Sequence, residues 1–255
     1  MLPHYSPYKV AENFLTLEAL HPNRIDLGIG NSSGGRMINR VLNEEKSERL
    51  TYKQQVKDIV RYIAGERSEN HRFPTLTATP ISETMPEVWM LGGGGESTNI
   101  AAFNGTAFTF AHFIKPDGRG SVERYREHFQ PSIFHSNPFV SIAVFVIVAE
   151  TASEAEQLAR AFDLWMVSLE TAKNPRYFPS IDTANHHSFT PFEKQKIHQI
   201  RKRAIIGNPK QVREEIIRLA EMYHADEVTI IPNFPGIEKR MAGIRMLAEI
   251  IKQYA

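Results

Sequence analysis

The residues best suited to chemistry lie in Glu87 to Ala102, EVWMLGGGGESTNIAA. A short apolar run ends there in four glycines, Gly92 to Gly95, and Glu96, Ser97 and Thr98 stand where a helical pattern begins. Glycines leave backbone amides open. The first turn of a helix adds N–H groups with no intrahelical acceptor and the positive end of the peptide dipoles. This combination receives an anion such as phosphate on the backbone of Gly94, Gly95 and Glu96, with the Ser97 hydroxyl as a further donor. The plainer reading is a tight turn with a helix cap.

Other segments offer less. Ile25 to Gly35, IDLGIGNSSGG, carries Gly28, Gly30 and Gly34 near a dinucleotide fingerprint. Its third spacing is off, and no second strand ends in an acid at the expected distance. It reads better as a strand-end loop lining a pocket. Phe108, Phe110, His112 and Phe113 form an aromatic strand end. Core packing explains most such runs, but at the end of a barrel strand His112 would face a ring-shaped ligand. His186-His187 is read as solvated lid residues, because adjacent histidines point apart and no carboxylate is expected at helical ligand spacing. Lys194 to Arg203, KQKIHQIRKR, is read as a solvated helical face without aromatic partners for nucleic acid.

These residues need a frame, and hydrophobic periodicity supplies one. Helices are predicted over 8–20, 52–64, 121–129, 154–170, 208–224 and 237–254. Strands are predicted over 25–30, 88–91, 107–114, 139–149 and 227–231, with a long loop over 174–190. Phe139 to Ala149, FVSIAVFVIVA, is almost wholly β-branched and aromatic. Strands apolar on both faces that alternate with helices imply a parallel α/β sheet of five β-α units.

Composition narrows the class. The 255 residues are 42% hydrophobic and 23% charged, which fits one globular domain over 1–255. A formal charge of +1 gives no global field for nucleic acid or an anionic membrane. The absence of cysteine removes thiolate catalysis and cysteine-held metals. The N-terminal stretch has no signal-peptide pattern and no run is long enough to span a bilayer, so a cytoplasmic protein is expected.

Taken in order, LPHYSPYKVAE, RIDLGIG, PEVWMLG with its glycine and serine loop, FTFAHF, IVAET, and GNPKQV with ADEVTIIPN resemble the bacterial-luciferase-like flavin monooxygenases. The resemblance implies a (β/α)8 TIM-type barrel that uses reduced FMN and O2 to oxidise a small organic substrate. The reduced flavin would come from a reductase partner or NAD(P)H, and the protein would form a homodimer. It implies FMN phosphate held by Gly94, Gly95, Glu96, Ser97 and Lys9, with Gly30, Asn31, His112 and Phe113 bordering the flavin ring. No catalytic residue and no metal is implied.

Three departures accompany it. Gly93 and Gly94 stand where relatives carry hydroxyl residues, which implies weaker FMN binding. Glu96 brings a negative charge near the phosphate, tolerable if its side chain points to solvent. The chain is also expected to lack the first three barrel strands, leaving five that cannot close and two open edges. The alternatives are a non-catalytic flavin-binding remnant of the same fold and a different barrel enzyme acting on a sugar phosphate.

Overall fold

The computed structural model describes residues 1–32, 35–43, 50–67, 69, 71–171, 173 and 175–252. Gly34 of the glycine-rich segment, Asn174 and Tyr254 lie outside the described residues. The chain packs as two compact units, Met1–Phe110 with Arg119–Val140, and Ala111–Gly118 with Ser141–Ala255.

The first unit is built on three parallel strands, β1 (Asp26–Gly30), β2 (Glu87–Gly92) and β3 (Ala107–Ala111). Their register runs from Asp26↔Glu87 to Gly30↔Leu91, and from Trp89↔Ala107 to Gly92↔Phe110. All five residues of β3 are buried, as a strand covered on both faces requires. The helices are α1 (Pro7–Leu20), α2 (Arg36–Val41), α3 (Tyr52–Ala64), α4 (Glu96–Asn104) and α5 (Arg119–His128). Thr51 and Gln54 form a capping box that starts α3, and Gly65 ends it at φ +66°. Along α3, Tyr52, Val56, Ile59, Tyr62 and Ile63 make one buried face. It packs on α1 and on α4, with the Tyr8 and Tyr62 rings edge to face at 5.3 Å.

The second unit centres on β4 (Val140–Val148), from Ser141 onward. Every residue of this strand is buried, and it is long enough to carry two parallel neighbours in succession. Ser141–Phe145 pairs with β6 (Glu227–Ile231), and Phe145–Val148 with β5 (Ala204–Gly207). Around it lie α6 (Ala152–Glu170), α7 (Ile181–His186), α8 (Pro191–Arg201), α9 (Pro209–Tyr223) and α10 (Ile237–Lys252). Phe145, Ile147, Phe162, Ile200 and Phe234 form the heart of its core.

The parallel α/β class is as expected, and the details differ. Six strands are described rather than five, because AIIG is a strand too short to stand out by periodicity. The predicted 107–114 strand stops at Ala111, whose carbonyl accepts from the amides of Ile114 and Lys115 and so turns the chain. The predicted 174–190 loop contains α7, started by the Ser180 hydroxyl accepting from the Thr183 amide. Among the described residues β1 pairs only with β2 and β6 only with β4. No helix is long and apolar enough to cross a membrane.

Candidate functional site

The register of the first unit sets Gly30 beside Leu91, so the end of β1 lies against the strand that runs into the glycine loop. Asn31 follows, exposed. Beyond β2, Gly94 (φ +104°) and Gly95 (φ +66°) adopt conformations that L side chains rarely take. Two of the glycines are also required by space. A Cβ on Gly92 would lie 2.0 Å from Ser97 Oγ, and one on Gly94 would lie 2.4 Å from Ser121 Oγ. The chain thus folds back on itself closely enough to present main chain rather than side chain.

Gly95 is the N-cap of α4 and has no side chain to accept from the first-turn amides. The start of this helix is therefore electropositive and uncapped by any side chain, the condition an anion relieves. Glu96 is exposed, as tolerance of a bound anion demands. Ser97 Oγ donates to the Gly94 carbonyl at 3.0 Å, so an anion has to compete for that proton. Lys9 is exposed in the first turn of α1.

Two hydroxyls of this region escaped the sequence reading. Tyr52, the first residue of α3, is 8% exposed and Thr98 is 0% exposed. Neither Tyr52 Oη nor Thr98 Oγ1 has a hydrogen-bond partner among the described residues. The capping box at Thr51 located the start of α3, but nothing in the sequence announced its contact with α4.

The loop thus has two features that suit a phosphate group: a turn that excludes side chains at Gly92 and Gly94, and a bare helix start. The sequence profile of luciferase-like monooxygenases matches residues 1–225.

The chain belongs to the luciferase-like monooxygenase family.

Its similarity to individual relatives extends along nearly its whole length. The uncharacterized protein YwcH of Bacillus subtilis (strain 168) is 38% identical over 252 residues, 98% of this chain and 76% of that relative. The crystal structure of apo-MsnO8 superposes with a TM-score of 0.85 at 28% identity, covering 99% of this chain and 75% of the other. A third structure is the oxygenating constituent of 3,6-diketocamphane monooxygenase from Pseudomonas putida, in complex with FMN. At 14% identity and TM-score 0.64, over 99% of this chain and 78% of that one, it shares the fold alone.

In this luciferase-like chain the other two expected flavin residues lie in the second unit. His112 is buried, and its Nδ1 is 3.1 Å from Tyr223 Oη. Tyr223 Oη in turn accepts from the Gly118 amide and donates to the Pro116 carbonyl. Burial pushes the His112 imidazole below its ordinary value, against a backbone hydrogen bond with Lys202 that raises it. His112 thereby ties the segment after β3 to α9. The Phe113 ring meets Phe145 edge to face at 5.4 Å, and its amide donates to the Ala143 carbonyl.

The segment around His186-His187 is held rather than loose. Arg160 donates to the carbonyls of Ala184 and His187 and lies over the Phe189 ring. Contrary to expectation a carboxylate does sit at helical spacing, since Asp182 Oδ1 is 3.4 Å from His186 Nδ1. Both are exposed, and no group of three metal-binding side chains occurs among the described residues. The KQKIHQIRKR run forms most of α8, with Ile200 buried and Arg201 turned inward to Asp163.

Glu193, buried at the start of α8, bonds the Thr190 amide and hydroxyl, Lys173 and His187. The Thr190 bond above all, then Lys173, lowers its carboxyl from 4.5 to about 2. A depressed carboxyl stabilises the fold above the unfolded value and loses that contribution as pH falls from 4.5 through about 2. Glu193→Gln is expected to flatten this acid limb, removing roughly 1–3 kcal/mol of the neutral-pH stability. Thermal midpoints of both proteins from pH 2 to 7 check it; parallel curves would contradict the assignment.

Proposed function

We propose that this protein is an FMN-dependent monooxygenase that uses reduced FMN and O2 to oxidise a small organic substrate. The observation that carries the reading is the bare start of α4 behind Gly94 and Gly95. In this reading the amides of Gly94, Gly95 and Glu96, the Ser97 hydroxyl and Lys9 hold the phosphate. Gly30 and Asn31 border the flavin ring. For His112 and Phe113 the ring-bordering role rests on the family resemblance.

Reduced FMN, when bound, supplies the electrons for oxygen chemistry. The chain's own part is to bind, orient and exclude water. No residue is assigned as acid or base. A flavin reductase or NAD(P)H is the proposed source of reduced FMN, and a homodimer the proposed assembly.

Lys9→Ala and Ser97→Ala are each expected to weaken FMN about tenfold, by loss of one charge-assisted contact. Riboflavin, which lacks the phosphate, should bind all three proteins alike. Flavin fluorescence titration checks both statements, and unchanged FMN affinity in both variants would remove the assigned site.

A second reading is a flavin-binding protein without turnover. It draws on the strand edges of β1 and β6, each paired on one side only among the described residues, and on Gly93 and Gly94, where the family resemblance implies hydroxyl residues. Oxygen consumption with reduced FMN and a panel of aldehydes separates the two. Tight FMN binding with no substrate-dependent uptake favours the second.

A further inference from the structure

We propose that Tyr52 is a phosphate-binding residue, its phenolic hydroxyl donating, together with that of Thr98, to the terminal phosphate of the flavin at the start of α4. The inference deepens the FMN reading and rests on it.

Buried phenols and threonine hydroxyls are almost always hydrogen-bonded, because an unmade bond in a dry place leaves the full desolvation cost standing. Two such groups occur on neighbouring helices of the first unit. Tyr52 begins α3 and Thr98 lies in the first turn of α4, and these two helices pack together. Both hydroxyl oxygens are closed to solvent and lack partners among the described residues. Thr98 belongs to the anion-receptive helix start itself, and Tyr52 to the helix packed against it. The Glu96 carboxylate, on the first residue of α4, is felt at the phenol. Burial first, and that charge second, push the Tyr52 hydroxyl well above its ordinary value and keep it a donor.

Beside its backbone amides the loop has no uncommitted hydroxyl donor. Gly93 and Gly94 bring no hydroxyls, and the Ser97 proton is already given to the Gly94 carbonyl. Tyr52 and Thr98 supply from the flank what the loop omits. Because water does not reach either oxygen, the first turn of α4 has to shift to admit the phosphate. Gly94 and Gly95, immediately before that turn, are the residues whose backbone freedom allows it.

Tyr52→Phe keeps the ring and deletes only the hydroxyl. FMN affinity is expected to fall about tenfold, riboflavin affinity to stay unchanged, and the thermal midpoint of the flavin-free protein to hold or rise, since an unsatisfied hydroxyl is gone. Thr98→Val is expected to act in the same direction. Loss of stability with equal weakening of FMN and riboflavin would show a packing role and overturn the proposal. So would a wild-type preference for FMN over riboflavin that survives in Tyr52→Phe while Lys9→Ala abolishes it, an outcome that leaves the FMN reading intact. A wild-type protein that binds FMN no better than riboflavin would overturn both.

Discussion

Gly92→Ala is expected to cut FMN affinity at least tenfold and to destabilise the protein by about 1–3 kcal/mol, the usual cost of overpacking a tight site. The added Cβ would stand 2.0 Å from Ser97 Oγ and 2.5 Å from Ser97 Cβ. The hydroxyl can rotate aside, but the Cβ is fixed to the first turn of α4, so the helix start itself has to move. Gly93→Ala is the matched comparison, because nothing lies within 4 Å of a Cβ built there. Its stability is expected to match wild type. Urea unfolding and FMN titration of the two variants check the contrast; equal behaviour would show that the close approach of Gly92 to Ser97 does not hold the loop in shape.

Asp163→Ala is expected to destabilise the fold by about 2–4 kcal/mol, with loss of order in α8. Asp163 is 3% exposed on α6, and Arg201 at the end of α8 reaches it through Nε at 3.1 and 3.2 Å and Nη2 at 2.8 Å. Removing the carboxylate strands a half-buried guanidinium with Glu156, 2.8 Å from Nη1, as its remaining carboxylate. The pair itself is worth little against apolar residues of like volume, since the cost of burying both charges nearly offsets their attraction. Asp163→Leu combined with Arg201→Met should therefore recover most of the loss. Calorimetry of the single and double variants tests this, and a double variant no more stable than Asp163→Ala would refute it.

The sequence disclosed what depends on neighbours along the chain. Apolar β2 running into Gly92–Gly95 and then α4 was readable because strand pattern, glycine and helix cap are all local signals. The buried β4 was equally plain from its β-branched run. What it concealed depends on distant partners or on lengths too short for a period. β5 has four residues, while α2 and α7 have six each. The His112 partner Tyr223 lies 111 positions away, so the imidazole's engagement within its own unit could not be foreseen. Tyr52 is legible in the sequence only as the start of a helix, and its buried hydroxyl, without a partner among the described residues, is visible only in the fold. Asp182 and His186, four apart, were readable as a pair and were passed over because the segment was taken to be loop rather than helix.

The double pairing of β4 also fixes an order of events during synthesis. Phe145 is the hinge between two ladders, opposite Ala204 in one and Ile231 in the other. The first ladder cannot form until α6, α7 and α8 have emerged from the ribosome, and the second waits for α9 as well. Until then the most apolar strand of the second unit remains without these neighbours. The interval in which a nascent chain is open to wrong association is therefore set by the translation of residues 149–231, and slowing that stretch should favour capture by chaperones.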